Sequence, residues 1–183
     1  MERTKVLLII LLLVAAFTLV FTSARRATVA DQTALGLLPA DQIKPAPDFT
    51  LPDAATGQPF HLADQARTRP IVLDFWATWC GPCREELPHL QALSERYKGR
   101  VGFYGIDSND PPRDIAAFAR QNSLTFPMLS DAKQQVAGQY GMTSIPLLLV
   151  IDTHGKLRSV TDGFDLDIDT NLPQVLDAVL QGK

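Results

Sequence analysis

Two residues dominate the chemistry available to this chain. Cys80 and Cys83 are the only cysteines among its 183 residues, and they stand two residues apart in "FWATWCGPCREELPHL", Phe75 to Leu90. A pair at this spacing offers a structural disulfide, half of a metal site, or a dithiol that cycles with a disulfide. A bridge across two residues closes a very small loop and restrains the unfolded chain little. A zinc site takes about four ligands, and His61, His89 and His154 are scattered singly along the chain, so no metal is expected. Redox cycling has a mechanism instead. Cys80 falls where a buried strand gives way to a helix, which puts its sulfur at a helix N-terminus. There the backbone N–H groups and the helix dipole favour thiolate over thiol. Gly81 and Pro82 let the helix begin tightly, because Pro82 gives up an N–H that the first turn would leave without a partner. Cys83, one turn further, faces the same side and is expected to be less exposed. One sulfur can then attack and the other resolve.

Positioning such a pair takes a sheet and a helix, and the flanking pattern supplies both. "PIVLDFWA", Pro70 to Ala77, is an apolar run suited to a central strand covered on both faces. Leu87, Leu90, Leu93 and Tyr97 recur at helical spacing, and Gly99 stands where that helix would stop. "VGFYGID" predicts a second buried strand, and "DPPRDIAAFARQN" a second helix with Asp110 as its N-cap and prolines in its first positions. "FTLPDAATGQPFHL" predicts a hairpin before the central strand. After the second helix come "FPML", a short helix in "DAKQQVAGQY", the strand "IPLLLVID", a turn at "DTHG", the strand "KLRSVTD" and a closing helix, Asp169 to Gln181. This order predicts an α/β fold, a central mixed sheet flanked by helices. Hydrophobic content of 46% and charged content of 20% suit one globular domain. A net charge of −3 without a run of Lys or Arg argues against a nucleic-acid partner. The acidic stretch "DSNDPPRD" lacks the glycine and closing glutamate of a calcium loop, and reads as loop and cap.

The N-terminus differs from the rest. Val6 to Ala24 carries no charge, and as a helix it would span about 28 Å, close to the roughly 30 Å of a bilayer core. Residues 1–24 are therefore expected to be a transmembrane anchor or an uncleaved signal, 25–45 a tether rich in polar and small residues, and 46–183 the folded domain. Arg3 and Lys5 before the span nearly balance Arg25 and Arg26 after it. A single N-terminal span followed by a domain most often exports that domain, which predicts a single-pass membrane protein with an extracytoplasmic catalytic part.

The landmarks around the cysteines resemble the thioredoxin superfamily over most of 46–183. "WCGPC" is its active-site sequence, and Asp74, six residues before Cys80, stands where thioredoxin carries a buried aspartate. Pro88 matches the proline that kinks the active-site helix. "YGMTSIPLLLVID" is similar to the segment ending in a cis-proline, which gives that part to Pro146, and Gly163 is similar to the glycine beyond the last strand. The opening "APDFTLPDAATGQPFHLAD", the inserted helix near Pro111 and the apolar N-terminus together resemble the membrane-tethered TlpA/ResA-type thiol–disulfide oxidoreductases, including those serving cytochrome c maturation.

That resemblance implies Cys80 as nucleophile and Cys83 as resolving sulfur, with Asp74 accepting the Cys83 proton. It implies substrate contacts from Trp79, Gly81, Pro82, Ile145 and Pro146, with Trp76 and Pro88 structural beside the site. The redox-active disulfide would be the sole redox group, with no separate cofactor. Expected partners are disulfide-containing exported proteins, apocytochrome c among them, and a membrane thiol-electron donor. Two departures stand out. Asp74 occupies a position where TlpA/ResA-type members often carry asparagine. A family acid after the second strand has only Asn109 or Asp110 to stand for it. Two other readings remain: a thiol peroxidase, since the opening also resembles that of peroxiredoxins, and a tethered chaperone or metallochaperone without enzymatic activity.

Overall fold

The structure, a computed structural model, describes residues 36–182 together with Leu13 and Val14. Apart from those two, the expected anchor and the tether up to residue 35 lie outside the described residues. Among the described residues no helix is long and apolar enough to cross a membrane.

The apolar runs pair into one sheet. Strand β3 (Ile71–Trp76) lies at its centre, parallel to β4 (Gly102–Asp107), which in turn pairs in parallel with β5 (Met128–Ser130). On the other side β6 (Leu147–Ile151) and β7 (Leu157–Asp162) continue antiparallel, giving the order β5-β4-β3-β6-β7. Every residue of β3 and β4 is buried, as a central strand covered on both faces requires. Helices α2 (Gly81–Arg96), α3 (Pro112–Gln121) and α5 (Ile168–Leu180) contribute to the core that contains Val72 and Trp76 of β3. The hairpin β1 (Thr50–Pro52) and β2 (Pro59–His61), with the short helices α1 (Leu62–Ala66) and α4 (Gln135–Gln139), covers Ile71, Leu73 and Phe75 on the other face. Side chains alternate across a strand, so Asp74 shares the face of Val72 and Trp76. Asp74 thus brings a carboxyl group into a mainly apolar layer.

Three local features depart from the sequence reading. Residues 36–45, expected to end the tether, lie along edge strand β7. Leu38 N–H donates to the Arg158 carbonyl at 2.7 Å, Leu157 N–H to the Lys44 carbonyl at 2.9 Å, and Leu37 is buried. They satisfy backbone groups that an edge strand would otherwise present. Helix α4 is shorter than "DAKQQVAGQY", because Asp131 accepts from Gln135 and Ala137 N–H at 3.0 and 2.8 Å and holds its own segment in a turn. Asp110 does not cap α3. The N-cap is Pro111, without a side-chain bond, and Asp110 is engaged elsewhere.

Candidate active site

Strand β3 delivers the chain to the site, and a tight turn redirects it. After Trp76, Cys80 N–H donates to the Ala77 carbonyl at 3.1 Å, and Cys80 takes extended backbone angles as the N-cap of α2. Its Sγ accepts from Cys83 N–H at 3.2 Å, the bond that a serine or aspartate oxygen supplies at other helix starts. Pro82 stands in the first turn, as its missing N–H allows. Cys80 and Cys83 are joined by a disulfide, with Cα atoms 5.3 Å apart. Cys83 has no exposed surface and Cys80 only 4%, while Gly81, Pro82 and Trp79 are exposed, Trp79 at 64%. Pro88 lies inside α2, where it withholds one helical N–H from the turn before it.

Two acids are buried on this side of the sheet. Asp74 is fully buried, and burial, then the charge of Glu86, pushes its carboxyl well above the usual range. Glu86, one turn beyond Cys83, is also fully buried, and burial followed by the charge of Asp165 pushes it up to about 7. None of their four carboxylate oxygens has a hydrogen-bond partner among the described residues. A carboxyl group held dry and without donors favours its neutral form. Glu86 escaped the sequence reading, yet its spacing carried a signal. It lies three residues from Cys83 and four from Leu90, on the stripe that α2 buries.

The remaining residues fall into two groups. Trp76 is buried, its ring 5.1 Å from that of Phe118, and Gly105 on β4 leaves room for it. A Cβ at Gly105 would meet Met128 and the Trp76 indole nitrogen. The Ile145–Pro146 peptide bond is cis, Ile145 packs against the core cluster containing both cysteines, and Gly163 N–H donates to the Pro146 carbonyl at 2.9 Å. Gly163 holds φ of +84°, a backbone conformation that favours glycine.

A second acid pair stands beside the loop that leads to Cys80. Asp107, at the end of β4, is fully buried, and its Oδ1 accepts from Asn109 and Asp110 N–H, each at 2.8 Å. Burial raises its pKa to about 6 against the pull of those two bonds, helped by a hydrogen bond to the Asp110 carboxyl. Asp110 accepts from Thr78 N–H at 2.9 Å. Burial raises its pKa, but bonds from Thr78 and Asp107 outweigh that and leave it below the usual carboxylate range. Among the described residues no group of three or more His, Cys, Asp or Glu could hold a metal ion.

A mixed sheet with a C-x-x-C pair at a helix N-terminus, buried acids beneath it and a cis-proline segment alongside defines a thioredoxin-like thiol–disulfide oxidoreductase. The chain belongs to the AhpC/TSA family, whose sequence profile matches residues 43–160. It is 35% identical over 119 residues to thiol-disulfide oxidoreductase ResA of Geobacillus thermodenitrificans, covering 64% of this chain and 67% of that one. Among solved structures it resembles a candidate thiol:disulfide interchange protein DsbE from Chlorobium tepidum, with 30% identity and a TM-score of 0.69 over 75% of this chain and 96% of the other. Peroxidoxin BcpB from Mycobacterium tuberculosis is 32% identical, with a TM-score of 0.63 over 76% of this chain and 95% of that one.

Proposed function

We propose that this oxidoreductase is tethered to a membrane by residues 1–24 and reduces disulfides of exported client proteins outside the cytoplasm, apocytochrome c among them. The observation that carries the reductase reading is the placement of the cysteines. Cys80 caps the active-site helix under exposed Trp79, and Cys83 is sealed behind it beside two protonatable acids.

In the dithiol state the Cys80 thiolate attacks one sulfur of the client disulfide, and the other client sulfur leaves as a thiol after taking a proton. Cys83 passes its proton to Asp74 in its ionised form and attacks Cys80 Sγ, which releases the second client sulfur to take a proton and leaves the Cys80–Cys83 disulfide. Two electrons pass from the dithiol to the client, and a membrane thiol donor returns two. An Asp74 with a raised pKa is suited to take a thiol proton and give it back. Trp79, Gly81 and Pro82 supply an exposed apolar surface for the client, and Ile145 and Pro146 a segment beside it. The uncharged stretch from Val6 to Ala24 supports the tether.

A Cys83→Ala trap expressed in its native membrane tests this reading. Clients should accumulate as mixed disulfides on Cys80, identified by mass spectrometry, with apocytochrome c present if the maturation role holds. A broad set of exported proteins without it removes that role. No trapped client at all defeats the reductase reading. The peroxidoxin likeness favours one alternative, and rapid thiol-dependent consumption of hydrogen peroxide by the wild-type chain would put that alternative first.

A further inference from the structure

Asp107 is a buried titratable group that takes no part in the exchange. Asp107 ends β4 directly opposite Trp76 in the parallel ladder, so it stands level with the last residue of the strand that feeds the active-site loop. Its Oδ1 is committed to two backbone N–H groups, while its Oδ2 is buried with no donor among the described residues. Asp110 lies at the other side of that small turn, and its carboxylate reaches 32 positions back along the chain to Thr78 N–H at 2.9 Å. Thr78 precedes Trp79 and Cys80. A carboxylate that crosses from one loop to hold another by a single N–H is a tie between them.

We propose that Asp107 is a positioning residue: in its protonated form it donates a hydrogen bond to Asp110, and the pair then holds the Thr78 N–H and with it the loop presenting Trp79 and Cys80. When Asp107 loses its proton, two carboxylates face each other across the turn and the tie loosens. The raised pKa of Asp107, about 6, puts this change within reach of ordinary conditions. The opposite shift of Asp110 is what a shared proton gives, since one acid keeps it and the other remains ionised.

The charged groups on neighbouring elements are otherwise engaged. Asp131, whose N–H donates to the Asp107 carbonyl at 2.8 Å, spends its carboxylate on Gln135 and Ala137. Arg113 and Asp114 at the start of α3 pair with each other at 3.2 Å and are exposed. Arg84 on α2 stands over the Phe118 ring, 5.9 Å from its centre. None of these bonds supplies a cation to Asp107.

The tie is distinct from the proton acceptor below the disulfide, and it can be read with the cysteines oxidised, when neither sulfur titrates. A failure of the exchange reading would therefore leave this test intact, and the reverse also holds. The probe is the full chain in detergent, oxidised, with the Thr78 amide and the Asp107 and Asp110 carboxyl carbons followed by NMR between pH 4.5 and 8. All three should move together with a midpoint near 6, and Thr78 amide exchange, corrected for its intrinsic pH dependence, should rise roughly tenfold across that step as its bond weakens. Asp107→Asn keeps a donor toward Asp110 at every pH, so it should erase the step and leave Thr78 protected throughout. Asp110→Ala should leave Thr78 unprotected at every pH. A Thr78 amide without a step between pH 5 and 7 in the wild type overturns the proposal, and needs no variant to fold. Persistence of the step in Asp107→Asn overturns it equally.

Discussion

Two pairs of acids stand on the elements that lead to and from the disulfide, and they are built in opposite ways. Asp74 and Glu86 are buried with four oxygens that find no donor. Asp107 and Asp110 are wired into backbone N–H groups of their own turn and of the Thr78 loop. Each pair has at least one member that holds its proton above the usual range, but for different reasons. In the first, burial and a neighbouring negative charge (Glu86 for Asp74, Asp165 for Glu86) act with nothing to offset them, and both acids rise. In the second, hydrogen bonds split the members, one raised and one lowered. An unpaired acid in a dry site can exchange protons with a neighbouring thiol because no bond competes for them. A bonded acid cannot do so without breaking a contact, so its titration is felt as movement. The first pair suits chemistry and the second suits position.

Replacing the acid on the central strand breaks this contrast most severely. Asp74→Asn removes the acceptor for the Cys83 proton, and resolution of a preformed mixed disulfide should slow on the order of 100-fold at pH 7, measured in single turnover. Unchanged resolution would move the acceptor role elsewhere, with Glu86 first in line. Glu86→Gln should act through Asp74. Without that neighbouring charge Asp74 ionises at lower pH, so the pH profile of resolution should shift to lower pH, with resolution faster on the acid side of neutrality.

The same variant has a stability signature with a defined sign. The folded chain holds the Glu86 proton up to about 7, where an unfolded chain releases it near 4.5. Unfolding free energy should therefore be highest at or below about 4.5 as far as this group is concerned, and fall as the pH rises through 7. Glu86→Gln should flatten that fall in urea titrations of the oxidised protein. A slope unchanged between pH 5 and 8 would mean that Glu86 is charged in the fold after all.

The first acid pair was only half legible in the sequence, and the second was misread. Asp74 stood out because a lone carboxylate interrupts the apolar run "PIVLDFWA", and its spacing from Cys80 matched a known landmark. Glu86 sits among Arg84 and Glu85, where a charged residue reads as solvated surface, although the stripe from Cys83 to Leu90 includes it. Asp110 before two prolines has every local mark of a helix cap. Its partner is a backbone N–H at the far end of another loop, and a contact at that separation leaves no trace in local spacing. Residues 36–45 were missed for a related reason. They form a few bonds to β7 without the alternating pattern of a strand. The fold class was readable because burial of both faces imposes long apolar runs. Single tertiary hydrogen bonds impose nothing on their neighbours.

The smallest effect concerns Asp165, which tests how far repulsion, as opposed to burial, sets the first pair. Its carboxylate accepts from Asp167 N–H at 2.9 Å and from the Asn171 side chain at 2.8 Å, and it borders a cavity of about 240 Å³ that also touches Leu148. Leu148 is the cross-strand partner of Asp74, so the cavity runs close to the buried acids. Burial is the larger cause of the raised Glu86 pKa and the Asp165 charge the smaller. Asp165→Asn keeps an oxygen for the Asp167 N–H and removes the charge, together with the acceptor of the Asn171 side-chain bond. The Glu86 carboxyl carbon should then titrate a few tenths of a unit lower, with exchange at pH 7 changed less than about twofold. A shift above one unit would make charge rather than desolvation the main reason that Glu86 stays neutral. In that case the contrast between the two pairs would rest on how many acids crowd each site, and not on whether hydrogen bonds reach them.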